Sequence, residues 1–185
     1  MWPKQQLTST SKFISYVLRH KPESIQITLD EHGWVSIADL ISAAQKHGQP
    51  LDEAELREVV RTCSKQRFSI DASDTKIRAN QGHSIQIDLA LEPQKPPAVL
   101  YHGTATRFLN SILNQGLLAG SRHHVHMSEA IDTAKSVGLR YGSPVILQID
   151  CDAMVADGYV FFQSENQVWL CDSVPAKYLK QKSDC

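Results

Sequence analysis

Hydrophobic positions change their spacing midway along this chain of 185 residues. In the first half they recur every three or four residues, the period of a helix that buries one face. Phe13, Ile14, Val17 and Leu18 form the first such stripe, with Ser9 or Thr10 as its cap, and Pro22 forces an end near Arg19-His20-Lys21. A short strand is predicted around Ile25–Leu29, followed by a turn at Asp30-Glu31-His32-Gly33. Ser36 caps a second predicted helix carrying Ile37, Leu40, Ile41 and Ala44, and Gly48 ends it. The pattern Asp52-x-x-Glu55 opens a third helix, whose Leu56, Val59, Val60 and Cys63 make the clearest helical stripe in the chain. Phe68-Ser69-Ile70 and Lys76-Ile77-Arg78 flank Ala72-Ser73-Asp74-Thr75, which reads as a hairpin. Three helices closed by a hairpin predict a winged-helix lobe.

The second half has shorter apolar runs. Val99-Leu100-Tyr101 and Val125-His126-Met127 read as strands, each leading into a helix (Thr106–Leu113 and Glu129–Val137). Val145–Ile149, Tyr159–Phe162 and Val168–Leu170 are further strand-like runs, so an α+β lobe is predicted. Between the halves lies a proline-rich stretch, Leu91-Glu92-Pro93-Gln94-Lys95-Pro96-Pro97. The predicted organisation is therefore residues 1–91 as one lobe, 92–97 as a stiff linker and 98–185 as the second lobe.

Charge narrows the function classes. The net charge is −1 and the halves balance separately: residues 1–92 hold 11 Lys+Arg against 12 Asp+Glu, and residues 93–185 hold 8 against 8. A protein that coats nucleic acid through bulk charge is thus disfavoured, and any RNA contact must come from a local cluster. The four cysteines, Cys63, Cys151, Cys171 and Cys185, lack metal-type spacing. Together with the absence of an apolar leader or membrane-length run, this predicts a reduced, cytoplasmic protein.

Candidate chemistry lies in basic and imidazole side chains. Arg19 and His20 stand together at a helix end, Arg67 follows the third helix, and Arg122 opens Arg122-His123-His124-Val125-His126. Helix-end arginines commonly just complement the helix dipole. They also suit phosphate, because the guanidinium fork makes two charge-assisted hydrogen bonds and stays protonated. Five of the eight histidines lie between His83 and His126. His124 and His126 share a strand face, but no carboxylate or thiol stands at a ligand spacing, so no metal is expected. In Tyr101-His102-Gly103-Thr104, Gly103 allows close approach of a ligand and Thr104 can bond that ligand or cap the next helix. Ile77-Arg78-Ala79-Asn80-Gln81-Gly82-His83-Ser84 places polar side chains just before the linker.

These blocks, in this order, resemble one family, the RNA 2′-phosphotransferases of the Tpt1/KptA type, whose yeast members complete tRNA splicing. The resemblance runs from about Ser11 to Leu179. It rests on Ser11-Lys12-Phe13-Ile14-Ser15-Tyr16-Val17-Leu18-Arg19-His20, Asp30-x-x-Gly33-Trp34-Val35, Lys65-Gln66-Arg67-Phe68, Ile77–Ser84, Tyr101–Thr104 and Arg122–Ser128. It implies a winged-helix RNA-binding lobe followed by a lobe with the ADP-ribosyltransferase fold. It implies catalysis by Arg19, His20, Arg67 and Arg122, contact with NAD through His102, Gly103, Thr104, His126 and Ser128, and contact with RNA through Lys65, Arg78, Gln81, His83 and Ser84.

The implied reaction uses NAD as co-substrate and no metal, in a monomer with no membrane attachment. An internal RNA 2′-phosphate attacks C1″ of the NAD ribose and expels nicotinamide; the ribose 2″-hydroxyl of the 2′-phospho-ADP-ribosylated RNA then attacks phosphorus. The products are 2′-hydroxyl RNA and ADP-ribose 1″,2″-cyclic phosphate. Nicotinamide leaves as a neutral molecule, so a paired-carboxylate signature is not required. Ser164-Glu165-Asn166-Gln167-Val168 follows the phosphotransferase pattern, where an apolar residue replaces the glutamate of many ADP-ribosyltransferases, and Glu165 is not nominated. Two rival readings remain open on the residues alone. One is an ADP-ribosyltransferase acting on RNA ends or protein, which would not need Arg19, His20 and Arg67. The other is a non-catalytic winged-helix binder, which would call for a basic first lobe.

Overall fold

The computed structural model describes residues 2–182, so Cys185 lies outside the described residues. Helices and small antiparallel sheets both contribute, and the chain is α+β. It forms two compact units, Met1–Ala90 and Leu91–Cys185.

In the first unit, helix α1 (Lys4–Arg19) is followed by a 3-10 turn (Pro22–Ile25), strand β1 (Val35–Ser36), helices α2 (Ile37–Lys46) and α3 (Glu53–Thr62), and the hairpin β2 (Phe68–Ile70) and β3 (Lys76–Ala79). The three strands pair antiparallel in the order β1-β3-β2, with Val35 opposite Ile77 and Phe68 opposite Ala79. Ile14, Val17, Leu18, Leu40, Leu56 and Ile77 are fully buried in one core. Ser36 Oγ accepts from the Asp39 amide and Asp52 Oδ1 from the Glu55 amide, so α2 and α3 start where their caps predict.

Three expectations for this unit are corrected. Helix α1 begins at Lys4 rather than after Ser9 or Thr10, because Pro3 occupies the N-cap and Leu7 packs on the core. Thr10 sits mid-helix, where its hydroxyl donates to the buried Glu55 carboxylate at 2.6 Å and ties α1 to α3. The predicted strand at Ile25–Leu29 is absent; Pro22 opens a 3-10 turn instead, and Gln26 leaves it in a left-handed conformation (φ 58°). β1 was not anticipated, since Ser36 both ends that strand and caps α2.

In the second unit, β4 (Val99–Ala105) leads into α4 (Thr106–Gln115), followed by β5 (Leu117–Leu118), β6 (Val125–Met127), α5 (Ile131–Gly138), β7 (Pro144–Asp150) and α6 (Cys151–Ala156). Strands β8 (Phe162–Gln163), β9 (Trp169–Cys171), β10 (Ser173–Val174) and β11 (Leu179–Gln181) complete it. Three antiparallel groups result, β11-β7-β4, β6-β9-β8 and β10-β5. A bridge between Tyr101 and Ser128 joins β4 to the end of β6. Leu100, Leu147, Ile149 and Met154 are fully buried in a second core. The proline-rich stretch is not free spacer throughout: Pro93 bridges to Phe162, the Gln94 amide donates to the Phe161 carbonyl, and Pro96 is buried.

Here too the sequence reading is revised. β4 continues through Gly103 and Thr104, so Thr104 is buried within the strand and Ala105, which offers no side-chain cap, precedes α4. Tyr159–Phe162 contributes a strand only from Phe162 onward. Helix α6, capped by Asp150, and strands β5, β10 and β11 were not anticipated. Among the described residues no helix is long and apolar enough to cross a membrane.

Candidate active site

The first unit gathers three of the predicted catalytic residues around one loop. Pro22 stops α1 so that Arg19 is its last residue and His20 its C-cap. The segment Asn80–Ser84, which follows β3, folds back against that end. The Ser84 amide donates to the Arg19 carbonyl at 2.9 Å, and Ser84 Oγ lies 2.8 Å from His20 Nδ1. Gly82 passes close to the Arg19 guanidinium, where an added Cβ would stand 3.7 Å from Cζ, and its φ of +88° favours glycine. At the other end of the segment the Asn80 amide donates to the Arg67 carbonyl at 2.9 Å. Arg67 directs Nη1 at Cys63 Sγ, 3.4 Å away. Burial pushes the Cys63 thiol up, but the Arg67 and Lys65 amides and the Arg67 guanidinium outweigh it and hold the thiol below its ordinary value.

The residues predicted to touch RNA fall into different settings. Lys65 and Ser84 are exposed and Gln81 is half-buried. Arg78 is buried on β3 with its guanidinium 4.6 Å from the centre of the Trp34 ring, a cation–π contact. His83 is buried as well, beside the tight turn at Gly33, where a Cβ would lie 3.5 Å from His83 Nε2.

The second unit holds another cluster. The β4–β6 bridge sets His102 beside His126, and His102 Nδ1 lies 2.8 Å from the His126 carbonyl. A carbonyl only accepts, so Nδ1 carries the proton and Nε2 remains an acceptor. Burial pulls the His102 pKa down; the carbonyl bond opposes this and the Arg122 charge adds to it, so His102 is neutral at pH 7. Arg122 is exposed on the turn before β6 and its Nη1 donates to His126 Nδ1 at 3.2 Å. Ser128 Oγ is engaged in the turn before α5, bonded to the Ala130 carbonyl and amide. His124 faces Asp172 and Phe162, whereas His126 faces Arg122.

Gly103 also has a packing role that the sequence does not reveal. A Cβ there would lie 1.7 Å from the Ala134 carbonyl oxygen, so the glycine lets α5 pack directly on β4. Asn80, Cys63 and Glu129, whose carboxylate accepts from Trp169 Nε1 at 2.8 Å, were missed as structural partners of this chemistry. Cys63 and Glu129 lie just outside the recognised blocks, and Asn80 lies inside one but bonds to a carbonyl 14 residues away.

Arginines and histidines placed by backbone bonds, alongside a neutral imidazole whose Nε2 is an acceptor, make this a two-unit α+β protein suited to an anionic, phosphate-bearing ligand. The chain belongs to the RNA 2′-phosphotransferase, Tpt1 / KptA family, whose profile matches residues 5–173. It is 53% identical over 178 residues to a protein of Pseudomonas fluorescens named "Probable RNA 2'-phosphotransferase", covering 96% of this chain and 98% of that one. Proteins of the same name from Acaryochloris marina and Agrobacterium fabrum are 52% and 51% identical, covering 94% and 96% of this chain and 96% and 95% of theirs.

Proposed function

We propose that this chain is an NAD-dependent RNA 2′-phosphotransferase, with Arg19, His20, Arg67 and Arg122 as its catalytic residues. The observation that carries the reading is the Asn80–Ser84 loop, which bonds or touches Arg19, His20 and Arg67 together, in a chain of this family. A 2′-phosphate is a dianion crowded by the neighbouring 3′-phosphodiester, and fixed cations are what hold it in line with a leaving group. The three helices and hairpin of the first unit serve as a winged-helix RNA-binding lobe, and the second unit as an ADP-ribosyltransferase-like lobe that binds NAD. His102 fits that co-substrate, since its Nε2 acceptor can take a hydrogen bond from a ribose hydroxyl or a carboxamide.

In the first step the RNA phosphate oxygen forms a bond to the nicotinamide-bearing ribose carbon as the bond to nicotinamide breaks. Arg19 and Arg67 position that phosphate. In the second step the adjacent ribose hydroxyl gives up its proton and attacks phosphorus, the RNA 2′-oxygen leaves and takes up a proton to become the 2′-hydroxyl, and a cyclic phosphate closes on the ribose. The tautomer of His20 that donates Nδ1–H to Ser84 Oγ leaves Nε2 to accept the attacking hydroxyl's proton. Arginine contacts to the non-bridging oxygens neutralise charge that repels the nucleophile. The reading places the protein in the cytoplasm, as a monomer acting on RNA that carries an internal 2′-phosphate.

The test is a short RNA carrying one internal 2′-phosphate, incubated with and without NAD. One nicotinamide should be released per phosphate removed, insensitive to chelators, at nearly the rate seen with a folded tRNA. Phosphate removal without NAD contradicts the reading. An ADP-ribosylated RNA end with the 2′-phosphate untouched would instead establish the ADP-ribosyltransferase alternative.

A further inference from the structure

We propose that Asn80 is a positioning residue for Arg67, gripping the two peptide planes that flank it and so aiming its guanidinium. The inference rests on the reading of Arg67 as a phosphate ligand.

Asn80 lies one residue past β3 and is 4% exposed. Its Nδ2 donates to the Gln66 carbonyl at 2.7 Å, and its main-chain amide donates to the Arg67 carbonyl at 2.9 Å. Those carbonyls belong to the peptide units before and after the Arg67 Cα. Two planes held in this way determine φ and ψ at Arg67, and hence the direction of its Cα–Cβ bond. Asn80 Oδ1 accepts from Ser69 Oγ at 2.7 Å, which turns the carboxamide so that its donor faces Gln66.

The grip has something to hold. Gln66 is in the left-handed region (φ 42°), and its amide donates to the Cys63 carbonyl at 2.8 Å. A non-glycine residue keeps that conformation only where its surroundings over-determine it. At the far end of the side chain, Cys63 Sγ accepts from Arg67 Nη1 at 3.4 Å. Arg67 is therefore fixed at its base by Asn80 and near its tip by Cys63. Only a carboxamide of this length donates to Gln66 and accepts from Ser69 at once; a carboxylate of the same shape puts an acceptor against the Gln66 carbonyl.

The decisive experiment is a double-mutant cycle in the full-length enzyme with 2′-phosphorylated RNA and NAD. Asn80→Asp should slow turnover roughly tenfold in the wild-type background and less than about twofold in an Arg67→Ala background, since a residue that acts through Arg67 has nothing left to position. Equal losses in both backgrounds, or no loss in the first, overturn the proposal. If Arg67→Ala itself keeps wild-type turnover, the phosphate-ligand reading fails, and a second readout still judges the positioning. This is the pH dependence of Cys63 alkylation by iodoacetamide, followed on its own peptide by mass spectrometry. Asn80→Asp should raise the midpoint toward that of an ordinary thiol, because the Arg67 amide and guanidinium no longer converge on Cys63. An unchanged midpoint counts against the proposal. Should Asn80→Asp not fold, Ser69→Ala removes the hydroxyl that orients the carboxamide and must show the same two effects in weaker form, or the proposal falls.

Discussion

In the first unit, one loop reaches the main chain of Arg19 and Arg67 through backbone bonds and the His20 ring through Ser84 Oγ, whereas in the second unit the backbone is ordered by a strand bridge and Arg122 stands exposed on a turn with His126 as its bonded neighbour. The contrast shows where reorganisation would fall. Groups fixed before the ligand arrives stabilise developing charge without rearranging, while an exposed arginine must first be brought to rest. On the proposed reading the first unit is a preformed phosphate clamp, and the second unit adds the exposed Arg122 beside His102 and His126.

Two glycines give the sharpest way to break the comparison. Gly103→Ala drives a methyl into the Ala134 carbonyl, and the second unit should lose roughly 3 kcal/mol or more, at the upper end of overpacking effects. Gly82→Ala meets only ordinary contacts with Arg19, so its cost is the strained φ, about 1–2 kcal/mol. Denaturant melts of both variants check the order; a Gly82 variant as unstable as the Gly103 one would mean that the first-unit loop, too, is a packing element.

Acid should act on the second unit. The His102 pKa is lowered in the fold, mainly by burial, so below the ordinary value of 6.5 the unfolded chain binds the proton more readily than the native one. Stability from this group is fully present above pH 6.5 and is lost as the pH falls. His124 is lowered as well, again chiefly by burial, and is common to both proteins compared. Thermal melts at about pH 7.5 and 5.5, bracketing the ordinary histidine pKa, should therefore show a larger acid-induced drop for wild type than for His102→Asn. Equal drops would remove His102 as a neutral, half-buried acceptor.

Ser84→Ala has the smallest expected effect. Loss of one hydrogen bond to His20 should lower kcat about fivefold with KM for RNA little changed. A raised KM with unchanged kcat would make Ser84 a contact to RNA instead, as the family resemblance implied.

Legibility also differed between the units. In the first, the stripe of Leu56, Val59 and Val60 and the caps Ser36 and Asp52 are local signals, and α2 and α3 follow from them. The start of α1 was hidden because Pro3 caps it without a side-chain bond. In the second unit, β5, β8 and β10 are two residues each, too short for alternation to show, and β7 pairs with strands far before and after it. The packing role of Gly103 is not legible because nothing nearby in sequence reveals that α5 lies on it. Arg19, His20, Arg67 and Arg122 stand out by position, but a catalytic role for them comes only from the ordered blocks, since an arginine at a helix end is ordinary. Asn80 escaped because its meaning lies in a carbonyl 14 residues away.

The central claim, a preformed phosphate clamp at Arg67, is tested most directly by a time course of Arg67→Ala on labelled 2′-phosphorylated RNA with NAD, resolved by gel. In the first step the phosphate is the nucleophile, and a neighbouring cation both positions it and withdraws electron density, so the two effects partly cancel. In the second, phosphorus is the electrophile, and loss of one such contact costs about 3–4 kcal/mol, or roughly 10²–10³ in rate. The account predicts that a slower-migrating 2′-phospho-ADP-ribosyl RNA accumulates in the variant. Unreacted substrate and product alone, with no adduct at any time, would contradict it.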